Sequence, residues 1–265
     1  MAELKTPNTS AEQLITEHLD IWTTAIEQKS SSGRGSSKKF SLHGIKKLRE
    51  LILDLAVRGK LVPQDPNDEP ASVLLERIAA EKAQLVKDKK LKKQSLVKVM
   101  EGVPETDIEL PEGWCLAYIP QIIAHEDYAI KRGPFGSALK KEYFVEQGIK
   151  VYEQSNVIRN DFSRGNYFIE EDKFEKLKAF EIQSGDILIS CSGTVGKVAV
   201  VPESIEKGIM NQALLRARLN EDLVLPEYFM YLFESEIMQL KLRQKTQGSA
   251  RKNLVALTEM KKIKF

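Results

Sequence analysis

From about Leu110 to the end of the chain, short runs of β-branched and aromatic residues recur: IKVYE, NYFIE, GDILIS, KVAVVP and ALLRARL. Glycines, prolines and polar residues separate them, the spacing of strands joined by turns. The segment Leu110-Pro111-Glu112-Gly113-Trp114 reads as a turn leading into a further strand-like stretch. Helical periodicity appears only at about 227–242 and, more weakly, at 254–262. The pattern predicts an α/β (α+β) domain over 108–265, with a twisted, mostly antiparallel sheet.

The first hundred residues have a different texture and predict a helical arm over 1–100. Ser10 is placed to cap a helix over 11–28, with Leu14, Leu19, Trp22 and Ile26 on its apolar side. A Ser/Gly-rich basic stretch, KSSSGRGSSKK, predicts a mobile linker at about 29–40. Ser41 then caps a second predicted helix, ending near Gly59. Its Ile45, Leu48, Ile52 and Leu55 repeat at helical spacing and need a partner helix. After the proline-broken LVPQDPNDEPAS, a third helix carries Leu74, Leu75, Ile78 and Leu85. It ends in KDKKLKKQSLVK, which reads either as a solvated helix end or as a contact to DNA phosphates.

The 265 residues suffice for one large domain, or a compact domain with a helical attachment. A net charge of +2 neither demands nor excludes nucleic acid, because binding needs a local basic surface. Cys115 and Cys191 are far apart and outside any metal spacing, so a reducing cytoplasm is the expected compartment. The start MAELKTPNTSAEQ has no signal pattern, and no apolar run reaches membrane-spanning length. A cytoplasmic location with no membrane partner is expected.

Catalytic patterns are scarce. Ser192-Gly193-Thr194-Val195-Gly196-Lys197 has two residues between its glycines where a phosphate loop needs four, and Val198 follows the lysine. A tight turn carrying polar groups between two strands fits better. His18, His43 and His125 are scattered, with no metal-ligand spacing. No G-x-S-x-G elbow is present, nor the cofactor loop and catalytic tetrapeptide of an adenine methyltransferase. One enzyme reading stays open: Asp161, Glu171 and Lys173 as a stand-alone Mg²⁺-dependent nuclease. The bland alternative there is a solvated acidic turn.

Hydrogen-bonding side chains do accumulate. Lys131, Arg132 and Ser137 belong to a basic glycine-rich loop; Gln154, Asn156 and Arg159 follow IKVYE; Asn211 and Gln212 precede ALLRAR. Ser249, Arg251 and Lys252 form another basic loop, and Thr194 and Lys197 sit in the glycine turn. Guanidinium and amide groups read base edges, while lysines, hydroxyls and backbone amides hold phosphates. Taken singly, each cluster is an ordinary polar surface loop. Together they favour recognition of a polyanion, with a protein-interaction module built on the arm as the alternative.

Gly185-Asp186-Ile187-Leu188-Ile189-Ser190, the following Ser192–Lys197 turn and Ala199-Val200-Val201-Pro202 resemble the central signature of type I restriction specificity subunits. Asn211-Gln212-Ala213-Leu214 is similar to that family's next block, and the Leu110–Trp114 turn to the lead-in of a target-recognition domain. Gly248-Ser249 and Asn253-Leu254 resemble its exit, and the helical 48–82 region resembles the segment that flanks such domains. The resemblance covers roughly 11–265.

It implies a non-catalytic DNA-binding chain that reads one half of a bipartite double-stranded target. Modification subunits would bring S-adenosylmethionine, and a restriction subunit ATP and Mg²⁺, so this chain would hold no cofactor or metal. Ile45, Leu48, Ile52, Leu55, Leu74 and Ile78 become the expected partner-docking residues. Full subunits of the family carry two recognition domains, so this chain is expected to be either the N-terminal half of a longer protein or a half-subunit that self-associates.

Overall fold

The computed structural model describes residues 10–29, 39–91, 109–220, 222–244 and 253–264. Most of the predicted linker, the basic run beyond Leu91, and Ser249, Arg251 and Lys252 lie outside them. The chain divides into two compact units, one within Met1–Asp68 and Glu105–Trp114, the other within Glu69–Pro104 and Cys115–Phe265.

The first unit contains helices α1 (Ala11–Thr16), α2 (Leu19–Thr24) and α3 (His43–Val57). Strands β1 (Glu27–Lys29) and β2 (Lys39–Ser41) pair antiparallel. Ser10 caps α1 as expected: its Oγ accepts from Gln13 N at 3.2 Å, and Gln13 Oε1 accepts from Ser10 N at 3.1 Å. The single helix expected over 11–28 is instead two, followed by a strand. Threonines explain part of this, since Thr16 and Thr24 donate back to the carbonyls of Glu12 and Asp20, a habit that bends and weakens helices.

Ser41, expected as the next cap, is used up in β2, and α3 starts after Leu42 without a side-chain cap. A Cβ at Gly44 would lie 2.2 Å from Trp22 O, so glycine permits the close approach of α2 and α3. The helix ends where expected, with Gly59 at φ +65° and Lys60 N donating to Leu55 O at 2.8 Å. Trp114 closes over this end, its indole N–H donating to Gln64 at 2.8 Å.

The second unit contains helices α4 (Ala71–Lys87), α5 (Ile119–Ile122), α6 (Gln154–Arg159), α7 (Glu171–Leu177), α8 (Pro226–Glu234), α9 (Glu236–Gln244) and α10 (Leu257–Met260). Its strands are β3 (Ile130–Arg132), β4 (Phe144–Val145), β5 (Ile149–Tyr152), β6 (Phe168–Ile169), β7 (Ile187–Ser190), β8 (Val198–Val200), β9 (Gly208–Met210) and β10 (Leu214–Ala217). They form two four-stranded sheets, ordered β3-β10-β7-β8 and β4-β6-β5-β9. The expected mostly antiparallel α/β fold is present, divided over two sheets, and β5–β9 is the parallel pair.

The apolar run of β7 follows from burial on both faces. Ile187 and Ile189 join Leu215, Ala217, Phe229 and Phe233 in one cluster, while Leu188 joins Tyr152, Met210, Ala199 and Leu214 in another. Alternation along a strand sends neighbours to opposite faces, so Ile187, Leu188 and Ile189 are all apolar, and the one polar residue, Ser190 at the strand's end, accepts from Lys197 N at 3.0 Å.

Three expectations change. The stretch after Trp114 forms α5 rather than a strand. The helix expected over 227–242 breaks at buried Ser235, whose Oγ donates to Leu232 O at 2.6 Å and accepts from Met238 N at 3.3 Å. One side chain thus closes α8 and opens α9. The weak helical pattern at 254–262 is confined to α10.

Candidate nucleic-acid interface

Strand register gathers one end of both sheets. Leu214, at the start of β10, lies opposite Ser190 at the end of β7, and Leu215 opposite Arg132 at the end of β3. β8 begins there too, with Val198 opposite Ile189. In the second sheet β5 and β9 finish together, Tyr152 opposite Met210. Asn211-Gln212-Ala213 then carry the chain from Met210 to Leu214, linking the sheets at this end. Asn211 N donates to Tyr152 O at 2.9 Å, Cys191 N to Ala213 O at 2.8 Å, Gly133 N to Leu214 O at 2.9 Å and Leu254 N to Cys191 O at 2.9 Å.

The segments around 131–137, 154, 192–197 and 211–212 therefore emerge together, and Asn253 bridges to Ser192 beside them. Gly133 is required here: a Cβ would lie 1.9 Å from Asn211 O. Gly193 and Gly196, at φ +71° and +81°, form the expected tight turn between β7 and β8.

Arg132 and Gln154 stand out within this group. Neither side chain makes a hydrogen bond or ion pair among the described residues, and Arg132 Nε and Gln154 Oε1 are buried without partners. Unsatisfied buried polar atoms are uncommon and costly, and a ligand is one way to satisfy them. The Arg132 guanidinium lies 5.7 Å from the centroid of the Phe135 ring, which is 66% exposed. Lys131 points otherwise, its ammonium 3.9 Å from the Tyr128 ring and 4.7 Å from Phe180. Burial, then the nearby Arg216 charge, pushes the Lys131 pKa below the usual lysine value. Ser137, Arg159, Thr194, Lys197 and Gln212 are exposed; Lys197 Nζ reaches Glu234 Oε1 at 3.2 Å.

Two amides expected to read bases have other work. Asn156 is 1% exposed, its Oδ1 accepting from Glu153 N at 2.8 Å and its Nδ2 donating to Asp161 O and Arg164 O, both at 2.9 Å. Its hydrogen-bonding capacity is spent on holding α6 and the turn after it, which removes it from the reading surface. Asn211 Oδ1 accepts from Ala213 N at 2.9 Å, and its Nδ2 reaches Glu153 Oε1 at 3.5 Å, so it shapes the link between the sheets. Glu153, which the sequence did not single out, is half-buried here; burial raises its pKa and the Asn211 hydrogen bond opposes that rise.

The nuclease triad does not assemble. Asp161 Oδ1 is bonded to Ser163 Oγ at 2.6 Å, Glu171 to Lys207 at 2.8 Å, and Lys173 sits 3.6 Å from the Tyr143 ring. Among the described residues no three His, Cys, Asp or Glu side chains converge as for a metal, and no helix is long and apolar enough to cross a membrane.

Of the expected docking residues, Ile45, Leu48, Ile52 and Leu55 on α3 and Leu74 on α4 are half-buried, and α4 belongs to the second unit rather than to a separate arm. Ile78 is 2% exposed and Leu75 packs on the main cluster of the second unit, so Ile78 has no face left for a partner. That side of α4 is held by polar contacts as well: Lys82 Nζ donates to Pro120 O and Gln121 O, and Glu81 Oε1 lies 3.3 Å from His125 Nδ1.

A mixed α/β domain that delivers cationic and amide-bearing loops to one end belongs to the class of binding modules. Residues 130–265, just over half of the chain, match the family model described as the type I restriction modification DNA specificity domain, and the chain belongs to that family. It is 64% identical over 106 residues to the EcoEI and EcoAI type I restriction enzyme specificity subunits of Escherichia coli. That stretch is 40% of this chain and 18% of each relative, so the match spans under a fifth of their length.

Among solved structures, a type I restriction-modification S subunit from M. genitalium aligns at 14% identity and TM-score 0.36, over 57% of this chain and 33% of that one. The HsdS subunit from Thermoanaerobacter tengcongensis aligns at 14% identity and TM-score 0.40, over 94% and 55%.

Proposed function

We propose that this chain is a non-catalytic reader of double-stranded DNA, selecting one half of a bipartite target for partner enzymes of a type I restriction–modification complex. The observation that carries it is the meeting of four polar loops at one end of both sheets, with Arg132 and Gln154 bringing unpartnered polar atoms there. Arg132, Gln154 and Gln212 are the base-reading candidates; Ser137, Arg159, Thr194 and Lys197 meet phosphates, while Lys131 braces the surface against Tyr128 and Phe180. Modification subunits dock on the α3 stripe of Ile45, Leu48, Ile52 and Leu55. They supply S-adenosylmethionine, and a restriction subunit supplies ATP and Mg²⁺, so no cofactor is held here. The complex works in the cytoplasm.

The test is methylation-site sequencing of DNA from cells making this chain with its modification subunit. A defined modified-adenine motif that vanishes without this chain is the expected result. Modification at the same sites with the chain deleted would overturn the proposal.

A further inference from the structure

Phe135 is the most exposed aromatic ring among the described residues, at 66%. A single exposed apolar side chain is commonplace and carries no argument. Its mounting does. Gly133 and Pro134 directly before it are buried, Gly133 N donates to Leu214 O at 2.9 Å, and the Gly133 backbone is pressed so closely on Asn211 O that no Cβ would fit. Proline fixes one further backbone angle. The ring is thus held out on a stiff base, where a mobile loop would let it fold back. Beneath it lies the Arg132 guanidinium, 5.7 Å from the ring centroid and without a hydrogen bond among the described residues. The whole sits at the end where the strand register gathers the polar loops.

A rigid, projecting aromatic ring backed by a cation fits a stacked, negatively charged polymer. We propose that Phe135 is a wedge that enters a base step of the bound duplex, unstacking it and bending the DNA, while Arg132 reads the adjoining base. Apolar side chains that part base steps in this way kink duplexes, and the unstacking energy is recovered through a wider contact surface. This rests on the DNA-reading proposal and adds a deformation of the target to it. Specificity then comes partly from how easily a step opens, beyond the edges that are touched.

The experiment uses the full chain and duplexes enriched by it from a random-sequence pool, with 2-aminopurine placed at each position in turn. The wild-type chain is expected to raise fluorescence severalfold at one step. Phe135→Ala is expected to abolish that rise and weaken binding about tenfold, with an unchanged melting temperature because the ring is exposed. Phe135→Trp is expected to retain the rise. Tight binding with no fluorescence change at any position would overturn the wedge and leave DNA reading intact. Failure to enrich or bind any duplex at low salt would overturn the reading, and the wedge with it.

Discussion

Arg218 grips Asp186 with two parallel hydrogen bonds, Nε to Oδ1 at 2.6 Å and Nη2 to Oδ2 at 2.9 Å. Asp186 is fully buried and also accepts from Gln183 N at 2.7 Å, fixing the turn before β7. Glu126 meets the remaining Arg218 nitrogen from outside. Replacing Asp186 by Asn keeps the shape but removes the buried counter-charge, at an expected cost of about 3 kcal/mol. Glu126→Gln, at a 44% exposed side chain, is expected to cost under about 1 kcal/mol. Urea denaturation of the two variants measures both, and equal midpoints would contradict this division.

The two thiols should differ in reactivity. Cys191 is fully buried, and burial pushes its pKa up to about 12, with Arg132 opposing only in part. Cys115 is partly accessible, and burial raises its pKa too. Alkylation of the folded chain at pH 8 followed by mass spectrometry is expected to label Cys115 slowly and leave Cys191 intact until urea is added.

Glu153 opposes its surroundings. Its folded pKa lies above the unfolded value, so the stability it contributes at low pH is lost as pH rises through the folded pKa. Glu153→Gln is therefore expected to be more stable than wild type at pH 7 and indistinguishable from it at pH 4. It also removes a negative charge from the proposed interface. Losing that repulsion is expected to raise duplex affinity a few-fold at low salt and less as salt screens it. Thermal melts and a binding titration test the two halves separately.

Lys82 gives a pH dependence of opposite sense. Burial pulls its amine down to about 8, against the attraction of Glu81. A depressed folded pKa contributes stability that is present above the unfolded value and lost as pH falls through about 8. Wild type is expected to gain on Lys82→Met between pH 7 and pH 9.5, read as the difference in urea midpoints. Parallel curves would show that Lys82 does not sense its burial.

Much of the fold was legible because the strands of the core are apolar on one or both faces; IKVYE, GDILIS and ALLRARL contain β5, β7 and β10. β3 was missed because two of its three residues are Lys131 and Arg132. Their charges suggested a loop, yet the aromatic rings of Tyr128, Phe180 and Phe135 lie against them. β9 and α6 are set by tertiary context, a parallel pairing for one and the Asn156 amide for the other. For the candidate site, residue type picked out segments that the strand register brings to one end, but not which of their side chains lack partners. An asparagine that closes a turn and one that faces a ligand look alike until burial separates them, as it does for Asn156. Phe135 lay inside a recognised loop, and only its exposure and its cation distinguish it.

The gathering of loop ends has a last consequence. The apolar residues that hold the sheets together lie along the strands, whereas the side chains proposed to choose a target stand at the strand ends and in the loops beyond. Preference and foldedness are thus written in separate stretches of the chain. New loops grafted between unchanged strands are expected to alter what such a domain selects while the same body carries them.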